Sequence, residues 1–406
     1  MERRHVAFIC CIVAATACVF TWLLTTLYVG SNTAKTTELR LSEEKYDRIS
    51  ELLDLSDLED IITKYYYKDV EEETLVNGAL KGMVEALDDP YSVYYTEEEY
   101  KEYNDLNEGT YVGIGVSLAK DADTGDTVVV NVLEDSPAEK AGIMIGDILK
   151  SVDGVVIAGS EPSEIVEAIE GPVGTPVKLT VIHDGEERDV EIVRAELQRQ
   201  FVYYTMYDNL CYVLIDKFHG EAAADFEKAL KFAEDNSAEG LIVDVRNNRG
   251  GSVNECTKIA DMLLGDSLIF YTVDREGNRT DHFSDAAHNE LPLAVIVNGA
   301  SASSSEILAG ALQDNKRGYV VGTVTYGKGV VQSIVDMPYS GGGVKVTSSV
   351  YYTPNGTCIN GTGITPDYEV NLPDEVLNGD EKLTFETDTQ LQAAITYLDR
   401  QLQIAD

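Results

Sequence analysis

Histidine is scarce in this chain, with five among 406 residues. A Ser-His-Asp triad and most zinc sites need histidine in a recognisable setting. His183, His219, His282 and His288 lie singly, and none is flanked by residues typical of a serine protease histidine. We therefore expect each of them to be a surface or partly buried residue and not a catalytic base.

Basic side chains are also few. The chain has 31 lysines and arginines against 71 aspartates and glutamates, which gives a formal net charge of −40 at pH 7. A protein that binds nucleic acid must neutralise phosphates with basic side chains, so nucleic acid is excluded as a partner. Anionic lipid surfaces would repel the chain for the same reason. The acidic excess is typical of a well hydrated surface outside a cell.

Cysteines are too few and too scattered for a disulfide framework or a metal centre. Three of the six lie within residues 6 to 29, which leaves Cys211, Cys256 and Cys358. Three thiols cannot build a framework, and no Cys-x-x-Cys or histidine cluster accompanies them. We expect small side chains packed in strands or helices, and the sequence predicts neither a metal nor a cofactor.

One long hydrophobic run is present. Residues 6 to 29 carry no charge, and a helix of about twenty apolar residues crosses a bilayer. Arg3 and Arg4 precede the run and the next basic residue is Lys35, so the positive-inside rule places the N-terminus in the cytoplasm. A cleaved signal peptide is the alternative, but the run is longer than a typical signal core and no clear Ala-x-Ala site follows. We favour a single-pass anchor, and either reading exports the remainder.

The residue pattern predicts an anchor in residues 1–30 and four segments after it. Residues 31–106 begin with a polar tether and continue with apolar residues at helical spacing, and residues 107–197 show short β-rich runs between Gly, Asp and Pro. In residues 198–374 apolar strands alternate with helices, which predicts an α/β domain with both sheet faces covered. Residues 375–406 indicate a linker and a helix without evident chemistry.

Ser303 and Lys328 are the residues with the clearest catalytic potential. A serine hydroxyl needs a base, and lysine can be that base only if burial lowers the pKa of its amine. Ser-Lys pairs replace the histidine triad in this way. Spacing alone leaves structural alternatives open, because Ser303 and Glu306 also match a helix capping box and a lysine in Gly-Lys-Gly is usually solvated.

Short motifs follow one another from residue 75 to residue 367. They are Leu75 to Ser92, Gly113 to Val116, Ser136 to Ile143, Gly146 to Gly154, Asp244 to Gly251, Ser301 to Glu306, Tyr326 to Gln332, Tyr352 to Gly356 and Gly363 to Asp367. In this order they resemble the carboxyl-terminal processing proteases, the PDZ-containing Ser-Lys serine peptidases of family S41. The resemblance extends over roughly three hundred residues, which makes chance similarity a poor explanation.

The resemblance implies a serine protease core of the crotonase or ClpP type, class α/β, preceded by a PDZ domain and an N-terminal helical region that helps to form a homodimer. It implies that Ser303 is the nucleophile, Lys328 the general base and Gln332 the residue that orients the lysine. Neighbouring hydroxyls that stay open as alternatives are Ser301, Ser304 and Ser305.

The resemblance also implies an oxyanion hole built from backbone N–H groups of Gly250, Gly251 and Ser304. Two positions depart from the family pattern. Position 304 is commonly alanine in the family, and the serine here keeps the same backbone N–H. Relatives usually carry proline or glycine where Arg249 stands, so the shape of this turn is open to change.

Gly113, Ile114, Gly115 and Val116 stand where a PDZ domain has its carboxylate-binding loop. Successive backbone N–H groups there capture a terminal carboxylate while the peptide adds as a strand. The structural alternative is an ordinary bulged strand. The segment Glu170 to Thr175 stands where many relatives carry basic residues, so a regulatory contact made by those basic residues is not expected here.

These patterns predict a bacterial serine endopeptidase, anchored in the cell membrane, with its catalytic part outside the cytoplasm. Its expected partners are protein or peptide substrates with free C-termini. Two other classes stay open: a catalytically inactive PDZ scaffold that binds C-terminal peptides, and a crotonase-like acyl enzyme. The Ser303, Lys328 and Gln332 set disfavours the scaffold, and the PDZ-like segment disfavours the acyl enzyme.

Overall fold

The computed structural model describes residues 43–121 and 124–405. The predicted membrane anchor, residues 6 to 29, lies outside the described residues. Within them, no helix combines the length and the apolar character that crossing a bilayer requires. The chain divides into two compact units, residues 1–79 and 80–406.

The first unit contains α1 (Glu43–Tyr65) and the start of α2 (Glu72–Glu85). Helix α1 runs for 23 residues without glycine or proline, the two residues that most disfavour a helix interior. Glu72 and Glu73 lie in the first turn of α2, where their negative charges oppose the positive end of the helix dipole.

The second unit begins with the end of α2, followed by β1 (Val93–Tyr95) and α3 (Glu97–Glu108). Thr96 caps α3 by accepting a hydrogen bond in its first turn, and Gly109 ends it with a left-handed φ of 71°. Strand β1 pairs antiparallel with a long strand of the core, Gly343–Tyr352. Helix α3, which follows β1 directly, is thereby held beside the domain that contains this strand.

A β-rich domain follows α3. Its elements are β2 (Thr110–Gly113), β3 (Val116–Lys120), β4 (Thr127–Val132), α4 (Pro137–Lys140), β5 (Ile148–Val152), β6 (Val155–Val156), α5 (Pro162–Ile169), β7 (Pro176–His183), β8 (Glu186–Val193) and β9 (Ala195–Gln198). The antiparallel sheet runs in the order β3-β4-β5-β7-β8, and β2 pairs separately with β9. Alternate residues of β7, namely Val177, Leu179 and Val181, are buried against Ile165 and Ile169 of α5. This is the PDZ arrangement that the sequence predicts.

The remaining residues form the α/β core. Its elements are β10 (Val202–Tyr207), β11 (Leu210–Ile215), α6 (Ala222–Asp235), β12 (Gly240–Asp244), α7 (Val253–Leu263), β13 (Leu268–Asp274), β14 (Arg279–Phe283), β15 (Leu293–Val297), α8 (Ser304–Asp314), β16 (Tyr319–Gly322), β17 (Val330–Asp336), β18 (Gly343–Tyr352), β19 (Tyr368–Glu369), α9 (Asp374–Leu377) and α10 (Thr389–Ala405). The predicted α/β class is confirmed, and the domain contains two β-sheets.

The central sheet has the order β10-β11-β12-β15-β16-β19 and is parallel except for the β10–β11 pair. Every residue of β12 and β15 is buried. Leu241 and Val243 face the cluster formed with α6, α7 and α8, whereas Ile242 belongs to the cluster formed with Leu391 and Leu398 of α10. Both faces are therefore covered, as continuous apolar strands predict.

The second sheet is antiparallel and joins β1, β18, β13 and β14, with β17 paired to the other edge of part of β18. Lys328 lies two residues before β17, and Gln332 lies within it at a bulge. A bulge turns the side chains that follow it. The predicted base, Lys328, is therefore placed by this sheet beside the turn that contains Ser303.

The C-terminal segment carries a buried ion pair that the sequence did not indicate. Arg246 lies two residues after β12, and its guanidinium donates to Asp244 Oδ2 at 2.6 Å and to Asp388 Oδ2 at 2.7 Å. Asp388 also accepts from the N–H of Leu391 at 3.0 Å and so caps α10. The carboxylate of Asp388 thus connects α10 to the end of β12, where the turn with the predicted oxyanion donors begins.

We expect Asp388→Ala to destabilise the core. Arg246 keeps Asp244 as a partner but loses its hydrogen bonds to the Asp388 carboxylate, and a hydrogen bond to a charged group contributes about 1.5 to 3 kcal/mol. Urea unfolding of the full-length chain measures this, with Asp399→Ala as control because Asp399 is exposed on the same helix. Equal unfolding midpoints for the two variants would show that the ion pair does not hold α10.

Candidate active site

Ser303 occupies a strained turn between β15 and α8. Its φ is 57° and its ψ is −116°, in a helix N-cap position. A positive φ at a non-glycine residue costs on the order of 1 to 3 kcal/mol and persists only where surrounding contacts impose it. Strain of this kind is frequent at catalytic residues, and here it turns Ser303 toward a cavity.

The neighbouring serines are used for structure. Each hydroxyl is buried and donates to a backbone carbonyl in the segment 245–251. The three bonds are Ser301 Oγ to Val245 O at 2.8 Å, Ser304 Oγ to Gly251 O at 3.0 Å and Ser305 Oγ to Asn248 O at 2.8 Å. Ser303 is the one serine of this motif that lines the cavity, so the alternatives left open by the sequence lose their support.

The cavity has a volume of about 780 Å³. The candidate catalytic residues that line it are Ser303, Lys328, Gln332, Gly250 and Gly251. They come from three separate elements of the core, namely the turn before α8, the start of β17 and the turn after β12. Helix α3 supplies a further wall. Residues far apart in the sequence are thus brought to one concave site.

Glu306 connects the candidate nucleophile and base. Its carboxylate is fully buried and accepts four hydrogen bonds. Oε2 accepts from the N–H of Ser303 at 2.8 Å and from the N–H of Lys328 at 2.9 Å. Oε1 accepts from Thr325 Oγ1 at 2.5 Å and from the N–H of Gly327 at 2.7 Å. A buried charge saturated in this way fixes both backbones relative to each other.

Lys328 is half-buried, with Nζ 4.8 Å from the centre of the Tyr91 ring. Burial, and then repulsion from the positive charge of Lys345, lower the pKa of the Lys328 amine. The carboxylates of Asp89 and Glu306 act in the opposite direction. The net lowering increases the fraction of neutral amine, which is the form a general base requires.

Two contacts expected from the family pattern are absent in this conformation. Within the described residues, no hydrogen bond joins Ser303 Oγ to Lys328 Nζ. Gln332 Nε2 donates to Thr347 Oγ1 at 3.3 Å and contacts the Val330 carbonyl at 3.5 Å, and it does not contact Lys328. The lysine side chain points at Tyr91, so it must rotate before it can reach the serine.

The predicted oxyanion donors divide into two kinds. The N–H of Gly250 donates to Asn248 Oδ1 at 2.8 Å, so the prediction that it is a free donor is wrong for this conformation. Among the described residues, the N–H groups of Gly251 and Ser304 have no hydrogen-bond partner. A Cβ added at Gly250 would lie 2.8 Å from the Cβ of Ser303. Gly250 is therefore needed for close approach, while Gly251 and Ser304 can donate.

The glycines on either side of Lys328 allow close approach of another segment of the backbone. A Cβ at Gly327 would lie 2.9 Å from the nitrogen of Thr362, and a Cβ at Gly329 would lie 2.5 Å from the nitrogen of Asn360. They make room for the segment after β18. The backbone of Lys328 is positioned by Glu306 instead.

His219 lines the same cavity, although the sequence offered no motif around it. Burial, and then the charge of Lys217, lower its pKa, so the imidazole is neutral at pH 7. Its buried Nδ1 has no hydrogen-bond partner among the described residues. It is a second candidate base that sequence reasoning missed, because only the fold brings β11 next to the turn before α8.

A second cavity, of about 330 Å³, lies at the predicted carboxylate-binding loop. It is lined by residues 113–118, by α5 and by Arg199. A Cβ at Gly115 would lie 2.3 Å from the Cβ of Ser136, so only glycine allows this loop shape. Ile114 is buried, and its carbonyl accepts from the N–H of Ala138 at 2.8 Å. The four loop residues are thus held at the mouth of a groove.

The chain matches three family profiles. Residues 209–370 match peptidase family S41, residues 128–182 match the PDZ domain, and residues 12–99 match the N-terminal domain of the activating protease CtpB. The matched ranges contain Ser303 and Lys328 in the first case and most of the β-rich domain in the second.

Relatives extend the match. A carboxy-terminal-processing protease of Bartonella bacilliformis is 33% identical over 333 residues, which are 80% of this chain and 76% of that protein. A protein of Staphylococcus haemolyticus named as a CtpA-like serine protease is 33% identical over 312 residues, 76% of this chain and 62% of that protein, so the chain spans less than two thirds of its length. A solved S41 protease structure from Bacteroides fragilis, 17% identical, covers 86% of this chain and 97% of its own at a TM-score of 0.51 and supports the fold alone.

An α/β hydrolytic core joined to a PDZ domain defines the class of protein. Within that class, the chain belongs to peptidase family S41, the carboxy-terminal-processing proteases, which are serine-type proteases. The crotonase-like acyl enzyme considered from the sequence is therefore wrong as a functional assignment.

We expect Glu306→Gln to lower kcat/KM by about 10²-fold, because an error of about 1 Å in catalytic geometry has that effect. Glutamine has nearly the same volume as glutamate, but its amide has only one acceptor oxygen. The two donors that now face the amide NH2 group therefore lose their hydrogen bonds. Steady-state proteolysis by the full-length chain measures the loss, with Glu227→Gln on the exposed side of α6 as control. Unchanged kcat/KM in both variants would mean that Glu306 does not position the site.

Proposed function

We propose that this protein is a serine endopeptidase in which Ser303 is the nucleophile and Lys328 the general base. The observation that carries the proposal is the shared carboxylate of Glu306, which accepts hydrogen bonds from the backbone N–H groups of both residues. The strained backbone of Ser303 and the lowered pKa of Lys328 support the same roles. Each role follows from ordinary acyl-transfer chemistry.

In the acylation step, Ser303 Oγ bonds to the carbonyl carbon of the scissile peptide while neutral Lys328 Nζ takes the hydroxyl proton. The N–H groups of Gly251 and Ser304, which have no hydrogen-bond partner among the described residues, donate to the oxyanion. The tetrahedral intermediate then collapses, the C–N bond breaks, and Lys328 returns its proton to the leaving amine. In deacylation, water attacks the ester of the acyl-enzyme while Lys328 takes its proton. The bond between the carbonyl carbon and Ser303 Oγ then breaks, Lys328 returns the proton to the serine, and the carboxylic acid product leaves.

The lysine must leave Tyr91 before the first step. A cation over an aromatic ring gains about 0.5 to 2 kcal/mol, depending on how far it is desolvated. Deprotonation removes most of this attraction, because a neutral amine has no net charge for the ring to attract. Rotation toward Ser303 and loss of the proton therefore favour each other. Gln332 lines the same cavity, and in this proposal it leaves Thr347 to orient the rotated amine.

We further propose that the groove at Gly113, Ile114, Gly115 and Val116 receives the C-terminus of the substrate. The groove lies between β3 and α5, where a peptide can add to the edge of β3, and Arg199 supplies a positive charge at its wall. The apolar lining from Val166 and Ile169 suits an apolar terminal side chain.

Anchoring in a bacterial cell membrane through residues 6 to 29, with the catalytic part outside the cytoplasm, stays a proposal supported by the uncharged run and by Arg3 and Arg4 before it. Formation of a homodimer through the N-terminal helical region is a further proposal that rests on the family resemblance.

We expect Ser303→Ala and Lys328→Ala each to lower proteolysis of an unfolded protein with an apolar C-terminus by at least about 10³-fold. The full-length chain in detergent is the enzyme, and substrate loss is followed by electrophoresis and mass spectrometry. Ser333→Ala and Lys231→Ala, both exposed, are the matched controls. His219→Gln distinguishes the two candidate bases and should retain activity.

Three outcomes would contradict parts of this proposal. Loss of activity in His219→Gln with activity kept in Lys328→Ala would make the histidine the base. Activity in Ser303→Ala would exclude that nucleophile. Peptide binding without any cleavage by the parent would favour the inactive PDZ scaffold.

The pH dependence of kcat/KM should report the Lys328 amine. The neutral fraction rises as pH increases through the pKa, and burial lowers that pKa below the ordinary lysine value, so the acid limb should lie below the pH expected for a free lysine. Lys345→Gln removes a like charge, which raises the pKa of Lys328 and moves the limb to higher pH. Lys231→Gln should leave the limb in place, and a limb unaffected by Lys345→Gln would disconnect it from Lys328.

A further inference from the structure

The catalytic cavity is rich in positive charge in a protein that is strongly acidic. Lys217, Arg249, Lys328 and Lys345 line it, and Glu108 is the one carboxylate among the lining residues. The whole chain has 71 acidic and 31 basic residues, so the charge of this cavity has the opposite sign to the net charge of the protein. A cleft lined by one sign of charge concentrates the electric field inside it.

Three of these cations have no carboxylate partner. Within the described residues, no ion pair includes Lys217, Arg249 or Lys345. Lys345 lies instead over two aromatic rings, 5.3 Å from the centre of Tyr103 and 5.6 Å from that of Tyr95. Lys328 differs, because Asp89 and Glu306 are close enough to act on its charge.

Lysines elsewhere on the surface are commonly paired. Lys81 binds Glu99 at 2.7 Å, and Lys228 binds Asp225 at 2.8 Å. With more than two acidic residues for each basic one, partners are plentiful. Cations without an ion pair also occur elsewhere in the described residues, for example Lys316 and Arg400, so the distinguishing feature of the cavity is that three of them lie together in its lining.

The three unpaired cations surround the candidate nucleophile from different elements. Lys217 follows β11, Arg249 lies in the turn directly before Gly250 and Gly251, and Lys345 lies on β18. Arg249 also stands at the position where the family resemblance leads one to expect proline or glycine. A flexible, exposed guanidinium there adds a charge next to the oxyanion turn without changing the glycines that form it.

Resting on the proposed endopeptidase function, we propose that this cleft selects peptide segments that carry aspartate or glutamate side chains within a few residues of the scissile bond. The bulk of the molecule repels such segments, and the cleft is the place where their carboxylates meet uncompensated cations. Recognition of this kind acts mainly on substrate capture, so it should appear in KM more than in kcat.

The test uses three peptides of one sequence with Glu, Gln or Lys at the positions flanking a single cleavable bond, each with an amidated C-terminus. The full-length chain should cleave them with kcat/KM in the order Glu, Gln, Lys. Added salt should reduce the ratio of the Glu rate to the Gln rate, because at about 1 M ionic strength charges are screened within roughly 3 Å. Lys217→Gln and Arg249→Gln should each reduce that ratio by about two- to fivefold, as removal of a partly exposed charge pair does.

The control for these variants is Lys231→Gln, an exposed lysine on α6 away from the cavity, which should leave the ratio unchanged. Lys345 is not used, because its removal also changes the pKa of Lys328. A fourth peptide with Gln flanks and a free C-terminus separates the side-chain carboxylate from the terminal carboxylate as the recognised group. If Lys217→Gln and Arg249→Gln lower the rate for this fourth peptide as much as they lower the rate for the Glu peptide, the cations recognise the terminal carboxylate and the proposal is overturned.

The remaining outcomes are also decisive. Equal rates for the Glu and Gln peptides, or a ratio that neither variant changes, would overturn the charge preference and leave the endopeptidase function standing. Failure to cleave any peptide, together with failure to cleave the unfolded protein substrate, would remove the proposed function and this inference with it.

Discussion

The buried carboxylate of Glu306 is the interaction on which the catalytic geometry depends. It has no solvent contact, and its two oxygens together receive donors from the turn before α8 and from the segment before β17. Removing a charge from water is costly unless hydrogen bonds replace the lost hydration. Four donors do so here, and the same four bonds tie together segments separated by more than twenty residues of sequence. Stability and positioning thus come from one group.

Sequence patterns were strong guides wherever a local rule decides the outcome. The alternation of apolar strands and helices predicted for residues 198–374 is present, for example in β15 (Leu293–Val297) and α6 (Ala222–Asp235). The Ser-x-x-Glu pattern before α8 correctly indicated a helix start. The capping and catalytic interpretations of Ser303 are compatible, because the N-cap position is what presents its hydroxyl to the cavity.

Other features could not be predicted from the sequence because they depend on tertiary contacts. No spacing rule relates Arg246 to Asp388, which lie 142 residues apart along the chain. His219 reaches the cavity only because β11 and β12 are neighbours in the sheet. Gly250 was expected to donate its N–H, but the side chain of Asn248 captures it, and a side chain's rotamer cannot be read from a motif.

The turn that contains Ser303 is joined to the segment 245–251 by three hydrogen bonds, which the hydroxyls of Ser301, Ser304 and Ser305 donate. The turn that carries Ser303 is therefore bonded directly to the turn that carries the proposed oxyanion donors. The proposed base differs, because the long side chain of Lys328 lies against the ring of Tyr91 and has several bonds about which it can rotate. Side-chain rotation takes picoseconds to nanoseconds when it is unhindered. In the proposed mechanism, approach of the base to Ser303 thus calls for side-chain rotation without any shift of the backbone.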